Sequence, residues 1–161
     1  MKEYQIEDIK TFMNELLVHD KYDSFYLYEA RVKTALDYYI SGKINADFYD
    51  SEELLALSER GESEYISWKH IKNTIYDLIK GKRLPISFKL ILMFNRENIT
   101  RLVEMNNLSM RPEDVGALFF NIYYEKGTLT ATTGTSIKVF SLDKTLEHLW
   151  DESVEKYYLK Y

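Results

Sequence analysis

Three groups of side chains in this chain have types and spacings that can do chemistry. The first is Thr133-Gly134-Thr135, inside the hydroxyl-rich run from Thr128 to Ser136. Strand hydroxyls can orient a ligand and glycine lets it approach the backbone, so the run can floor a small polar pocket. The opposing reading is that threonine fits a pleated surface and satisfies its hydroxyl locally. The second group is a basic row of Lys69, Lys72, Tyr76 and Lys80 on one helix face, extended by Lys82 and Arg83. Cations with an aromatic among them can meet phosphates and stack a base. The solvated face of an ordinary amphipathic helix has the same composition. The third group is the acid pairs Asp47/Asp50 and Glu147/Asp151, which suit acid–base work but sit beside capping positions or on exposed helix faces.

Other chemistries are excluded. The chain has no cysteine, which removes disulfides, thiolate catalysis and cysteine-ligated zinc or iron–sulfur sites. His19, His70 and His148 are scattered. Only His148 with Glu152 has ligand-like helical spacing, and Glu152 is better read as the ion-pair partner of Lys156 one turn on. Gly81-Lys82 is no phosphate loop, because Tyr76 and Arg83 stand where that motif needs glycine and a hydroxyl residue. No G-x-S-x-G elbow is present. The residues nominate no catalytic group, no metal and no cofactor.

The elements that would position these groups follow from periodicity. Ile6, Ile9, Met13, Leu16 and Leu17 predict a helix over about Glu7 to Val18. From Ser24 to Ile40 the alternation of Tyr26, Tyr28, Ala30 and Val32 predicts two strands, although part of the segment also stripes a helix. Asp50 and Glu53 form a capping box for a short helix ended by Gly61. Trp68, Ile71, Ile75, Leu78 and Ile79 stripe the next helix, with Gly81 placed for a left-handed cap. Ile86 to Phe94 alternates as a central strand, and Asn95 caps a helix that Asn106-Asn107 closes.

Arg111-Pro112-Glu113-Asp114 then turns the chain into a hairpin through Glu125-Lys126-Gly127. On its second strand Leu129, Ala131, Ile137 and Val139 share parity, so one register should run through Gly134 as a bend, with Thr133 and Thr135 inward. A terminal helix from Asp143 presents Leu146, Leu149, Trp150, Val154, Tyr157 and Tyr161 to the sheet. The class is α+β: a mainly antiparallel sheet of about five strands with four to five helices, the C-terminal helix on the sheet.

At 161 residues, 45% hydrophobic and 29% charged, the chain suits a single globular domain over 1–161. The net charge of −5 is unevenly laid: eight basic residues against three acids between Ile66 and Met105 leave −10 on the flanks. That asymmetry bears on partners rather than fold. The acidic N-terminus and the shortness of the apolar run Leu90 to Phe94 argue against export and membrane insertion, so a reducing cytoplasm is expected. The 14 Tyr and 8 Phe suit a half-buried sheet or a contact surface.

Leu78 to Lys89, Tyr124-Glu125-Lys126-Gly127 through Thr132–Ser136 to Lys144, and Glu147-His148-Leu149-Trp150-Asp151 resemble an uncharacterised family. Its members are small single-domain proteins of unknown function from anaerobic Gram-positive gut bacteria. The resemblance covers nearly the whole chain and implies length, single-domain character and a bacterial cytoplasm, but no chemistry. The function expected is a binding or interaction module, self-association included, that uses a tyrosine-rich sheet surface or the threonine-lined strand. A nucleic-acid-associated protein using the basic helix is the first alternative, and an enzyme with dispersed acids the second.

Overall fold

The computed structural model describes residues 1–160. In chain order its elements are β1 (Glu3–Ile6), α1 (Ile9–Leu17), β2 (Tyr26–Lys33), β3 (Asp37–Ser41), α2 (Ser51–Glu59), α3 (Trp68–Ile79), β4 (Ser87–Met93), α4 (Arg96–Met105), β5 (Val115–Glu125), β6 (Thr128–Ile137) and α5 (Thr145–Tyr157). Six strands form one antiparallel sheet in the order β1-β6-β5-β4-β2-β3, so the class is α+β and β4 is central. The sixth strand is β1, whose residues the helical periodicity assigns in part to the first helix. Four residues with only Tyr4 and Ile6 on one face carry too little alternation to register. Their pairing with Leu129–Thr132 makes them a strand.

One sheet face is apolar. Leu27, Ala30 and Val32 of β2, Phe88, Leu90 and Leu92 of β4, Leu118, Phe120 and Ile122 of β5, and Leu129 and Ala131 of β6 are all buried in one core. Helices α1, α3, α4 and α5 contribute to it through Phe12 and Leu16, Trp68 and Ile75, Ile99 and Val103, and Leu146, Trp150 and Val154. Both indoles are partnered: Trp68 Nε1 donates to the Leu16 carbonyl at 2.8 Å and Trp150 Nε1 to the Phe119 carbonyl at 2.9 Å. A buried polar group without such a partner would be costly. Beyond the last turn of α5 it is Tyr158 that packs against the core, while Tyr157, expected inward, is 60% exposed. Tyr161, assigned to the same face from the sequence, lies outside the described residues.

The turns follow local chemistry. The capping box of α2 is formed, with Glu53 N–H donating to Asp50 Oδ1 at 2.8 Å and Asp50 N–H to Glu53 Oε1 at 3.1 Å. Asn95 caps α4. Lys126 and Gly127 take φ of 50° and 78°, as a two-residue hairpin turn matching the twist of its strands requires. Gly81 is not a left-handed cap: the positive-φ glycines are Gly61 and Gly127, and α3 ends at an extended Lys80. Ile86, expected on the inward face, precedes β4 and is exposed.

The β5–β6 register runs unbroken from Glu125↔Thr128 to Ala117↔Ser136, straight through Gly134. The sheet's two irregularities lie elsewhere. One falls between Leu27 and Glu29 of β2, the other between Val115 and Ala117 of β5. Tyr28 and Gly116 are therefore the extra residues. The first bulge also corrects the parity read for β2: Leu27 shares the inner face with Ala30, and Tyr28 is turned outward.

Candidate functional site

The outward sheet face carries Tyr28 and Arg31, Tyr39, Lys89 and Ile91, Phe119 and Tyr123, and Thr130 and Thr132, all at least partly exposed. Among the described residues no helix is packed across it. At one end of this face lies a cleft of about 380 Å³. It is built from five separate parts of the chain: Tyr26 and Tyr28 of β2, the Gly61–Tyr65 segment, Met93 of β4 running on to Ile99 of α4, Phe119 of β5, and the end of β6 at Ser136 with Lys138 just beyond it.

The two bulges explain why aromatic rings meet there. An extra residue re-aims its side chain and sharpens the strand's twist, and bulges recur beside functional sites. Tyr28 is aimed out of the sheet, where its ring meets Phe119 edge-on (centroids 5.6 Å, 78°) and Tyr65 at a tilt (5.7 Å, 32°). Gly116 lets β5 press against β6, since a Cβ there would lie 2.9 Å from Ser136 Oγ. Tyr65 is brought in by the segment that precedes α3. Leu27 N–H donates to the Ile66 carbonyl and Ile66 N–H to the Gly42 carbonyl, so residues 64–67 are wedged between the ends of β2 and β3.

The cleft is apolar with few available polar groups. The Tyr26 hydroxyl donates to the Gly61 carbonyl at 2.8 Å. Burial, then the negative charge of Glu62, raises its proton affinity. Burial and the neighbouring Glu64 raise Tyr65 as well. Both phenols are neutral at physiological pH. Arg96 also lines the cleft, yet its guanidinium bridges the Val115 carbonyl at 2.7 Å and the Pro112 carbonyl at 2.9 Å. Glu64, Ser63, Ser136 and Lys138 supply the rim.

The hydroxyl strand reaches this cleft only at Ser136, and its threonines lie beside it. Thr133 is fully buried: its hydroxyl donates to Asp151 of α5 and accepts from the Lys2 N–H at 3.0 Å. Thr135 shares its face and is half-buried, and neither threonine lines the aromatic cleft. Gly134 lies on the opposite face as the cross-strand partner of Phe119, and a Cβ there would meet Phe119 Cβ at an ordinary 3.6 Å.

The basic row is divided. Lys72 is 12% exposed and tied to Asp23 at 2.6 Å and to the His19 carbonyl at 2.8 Å. Tyr76 packs against the core with Lys80 above its ring at 5.2 Å. Lys69, Lys82 and Arg83 are exposed. Lys156 lies over Tyr157 at 5.1 Å rather than beside Glu152, the partner its spacing suggests.

One constellation has no signature in the sequence. Glu62 is 2% exposed, with His70 Nδ1 at 2.5 Å, Arg60 Nε at 3.6 Å and the Ser67 N–H donating at 3.3 Å. Ser67 itself makes no side-chain cap. The Glu62 carboxylate therefore serves the N-terminus of α3, where negative charge is favoured. No spacing rule connects Glu62 to His70, so local pattern cannot find the pair. Carboxylates with shifted proton affinity are Asp8, Asp114, Asp143, Glu147 and Glu155, all lowered by hydrogen-bond or cationic partners. That is the wrong direction for a general acid at neutral pH. Among the described residues no three metal-ligating side chains cluster, and no helix is long and apolar enough to cross a membrane.

No curated protein and no solved structure matches the chain. A family match does exist, and it takes in β2 to β6, both bulges and every aromatic wall of the cleft. Residues 15–161 match DUF5721, a family of unknown function, and the chain belongs to that family.

Proposed function

We propose that the protein is a binding module of the bacterial cytoplasm, with the uncovered sheet face as its recognition surface and the aromatic cleft as its centre. The observation that carries this is the contact of Tyr28, Tyr65 and Phe119 on a face where a helix would otherwise lie. Contiguous exposed apolar surface of this kind marks interaction sites in soluble proteins. Tyrosine and phenylalanine are the side chains that interfaces favour. With the Arg96 guanidinium turned to the Val115 and Pro112 carbonyls and its phenols neutral, the cleft suits an apolar or aromatic side chain of a partner protein better than a charged metabolite. Compartment and source rest on the cysteine-free composition and on the resemblance.

An amide-resolved NMR titration with N-acetyl-phenylalanine amide tests the reading. Shifts should concentrate on Tyr28, Tyr65, Met93 and Phe119 and vanish in Phe119→Ala. Shifts centred on α3, or none that saturate, would overturn it.

A further inference from the structure

We infer that the occupant of the cleft is a second copy of this chain, which inserts Phe140. This rests on the cleft being a recognition site and names its partner. Between β6 and α5 the chain exposes Phe140 by 91% and Leu142 by 83%, with Val139 at 44%. A single exposed leucine is ordinary, but a whole phenylalanine ring held in water beside a second large apolar side chain is a knob without a hole. The loop is also held in shape. Lys138 N–H donates to the Asp114 carbonyl at 2.8 Å, Asp143 N–H to Ser141 Oγ at 3.1 Å, and Thr145 N–H to Asp143 Oδ1 at 2.9 Å. A side chain presented on an ordered loop costs less to bind than one on a loose segment.

The position of the knob selects a second copy as its partner. Ser136 and Lys138 line the cleft, and Phe140 follows two residues later, so knob and hole share one rim. A two-fold axis beside that rim lets each copy place Phe140 against the other's Tyr28, Tyr65 and Phe119. The exchange is isologous and closed, leaving no free knob to propagate a fibre. Charge agrees: Lys138 at the base of each knob is brought to the rim that holds Glu64 of the other copy. That pairing offsets the mutual repulsion of two chains of net charge −5. Two knob-and-hole contacts make a small interface, which gives a weak, concentration-dependent dimer.

Sedimentation velocity over a wide concentration series tests this. Wild type should pass from monomer to dimer, and Phe140→Ser should weaken association by about tenfold or more. Leu84→Ser, which removes a comparably exposed apolar side chain elsewhere, should leave it unchanged. Mixing Phe140→Ser, which keeps the hole, with Phe119→Ala, which keeps the knob, should recover one of the two contacts and a partial dimer. Lys138→Glu and Glu64→Lys should each weaken the dimer and together restore it. A wild type that stays monomeric, or a dimer indifferent to Phe140→Ser, overturns the inference. If the wild type is monomeric while N-acetyl-phenylalanine amide still shifts Tyr28 and Phe119, only self-association falls and the cleft stands. If both signals are absent, both readings fall.

Discussion

A methyl group on Gly42 would lie 1.8 Å from the Leu27 carbonyl oxygen, where the Gly42 N–H donates to the Tyr28 carbonyl of β2. The atom in the way is backbone, so the sheet itself must move. Gly42→Ala should therefore lose about 4 kcal/mol or more in urea denaturation. Gly134→Ala, with an ordinary contact at 3.6 Å, should stay within about 1 kcal/mol of wild type. Of the two glycines, the one the hydroxyl run draws attention to is the replaceable one. Proton affinity is equally local. Burial pushes the Tyr158 phenol from 10.0 up to about 12, so above the ordinary value the unfolded chain loses this proton before the folded one does. The contribution is whole below pH 10 and is lost as pH rises through 12. Wild type should lose stability relative to Tyr158→Phe across that window, and parallel stability curves for the two proteins would refute the burial.

Elements with a full apolar stripe or a local cap are legible in the sequence alone. Trp68, Ile71 and Ile75 mark α3, Leu146, Trp150 and Val154 mark α5, and Asp50 with Glu53 marks the start of α2. What escapes depends on contacts distant in sequence. β1 exists through its pairing with β6, and the bulges at Tyr28 and Gly116 exist through the strands beside them, so neither leaves a periodic trace. The cleft is legible in composition, as a tyrosine-rich sheet surface, but not in place. Thr133 shows the same limit: its type and inward parity are readable, whereas its partners Lys2 and Asp151 lie more than a hundred residues before it and on a later helix. Because that hydroxyl ties β1, β6 and α5 together, Thr133→Val should cost about 1–3 kcal/mol in thermal or urea denaturation, with Thr133→Ser retaining most of it. For α3, the ion pair of Lys72 with Asp23 and the packing of Tyr76 remove the centre of the basic row. Charge reversal at Lys69, Lys82 and Arg83 should leave heparin retention unchanged. A salt-sensitive loss of retention in that variant would restore the nucleic-acid reading.

At the scale of the whole molecule the sheet is asymmetric, with helices crowded on one face and water on the other. Nearly all stabilising apolar burial is therefore on one side, which leaves the open face free to vary with little effect on folding. The covered side is continuous: rings of Phe12, Tyr22, Phe25 and Trp150 follow one another in contact from α1 to α5, with Phe120 against the first three. The two tryptophans are both fully buried and held by backbone carbonyls from different elements, and this makes them a pair of built-in optical reporters. Trp68 looks at the seam between α1 and α3, Trp150 at the docking of α5 on the sheet. Both should emit at short wavelength and redden when water reaches them. In Trp68→Phe and Trp150→Phe proteins, each with one emitter left, fluorescence should agree with far-ultraviolet dichroism on a single midpoint, since one ring-lined core joins the two sites. Intrinsic fluorescence, with no added dye, can thus show whether this chain melts as one cooperative unit or releases its terminal helix first.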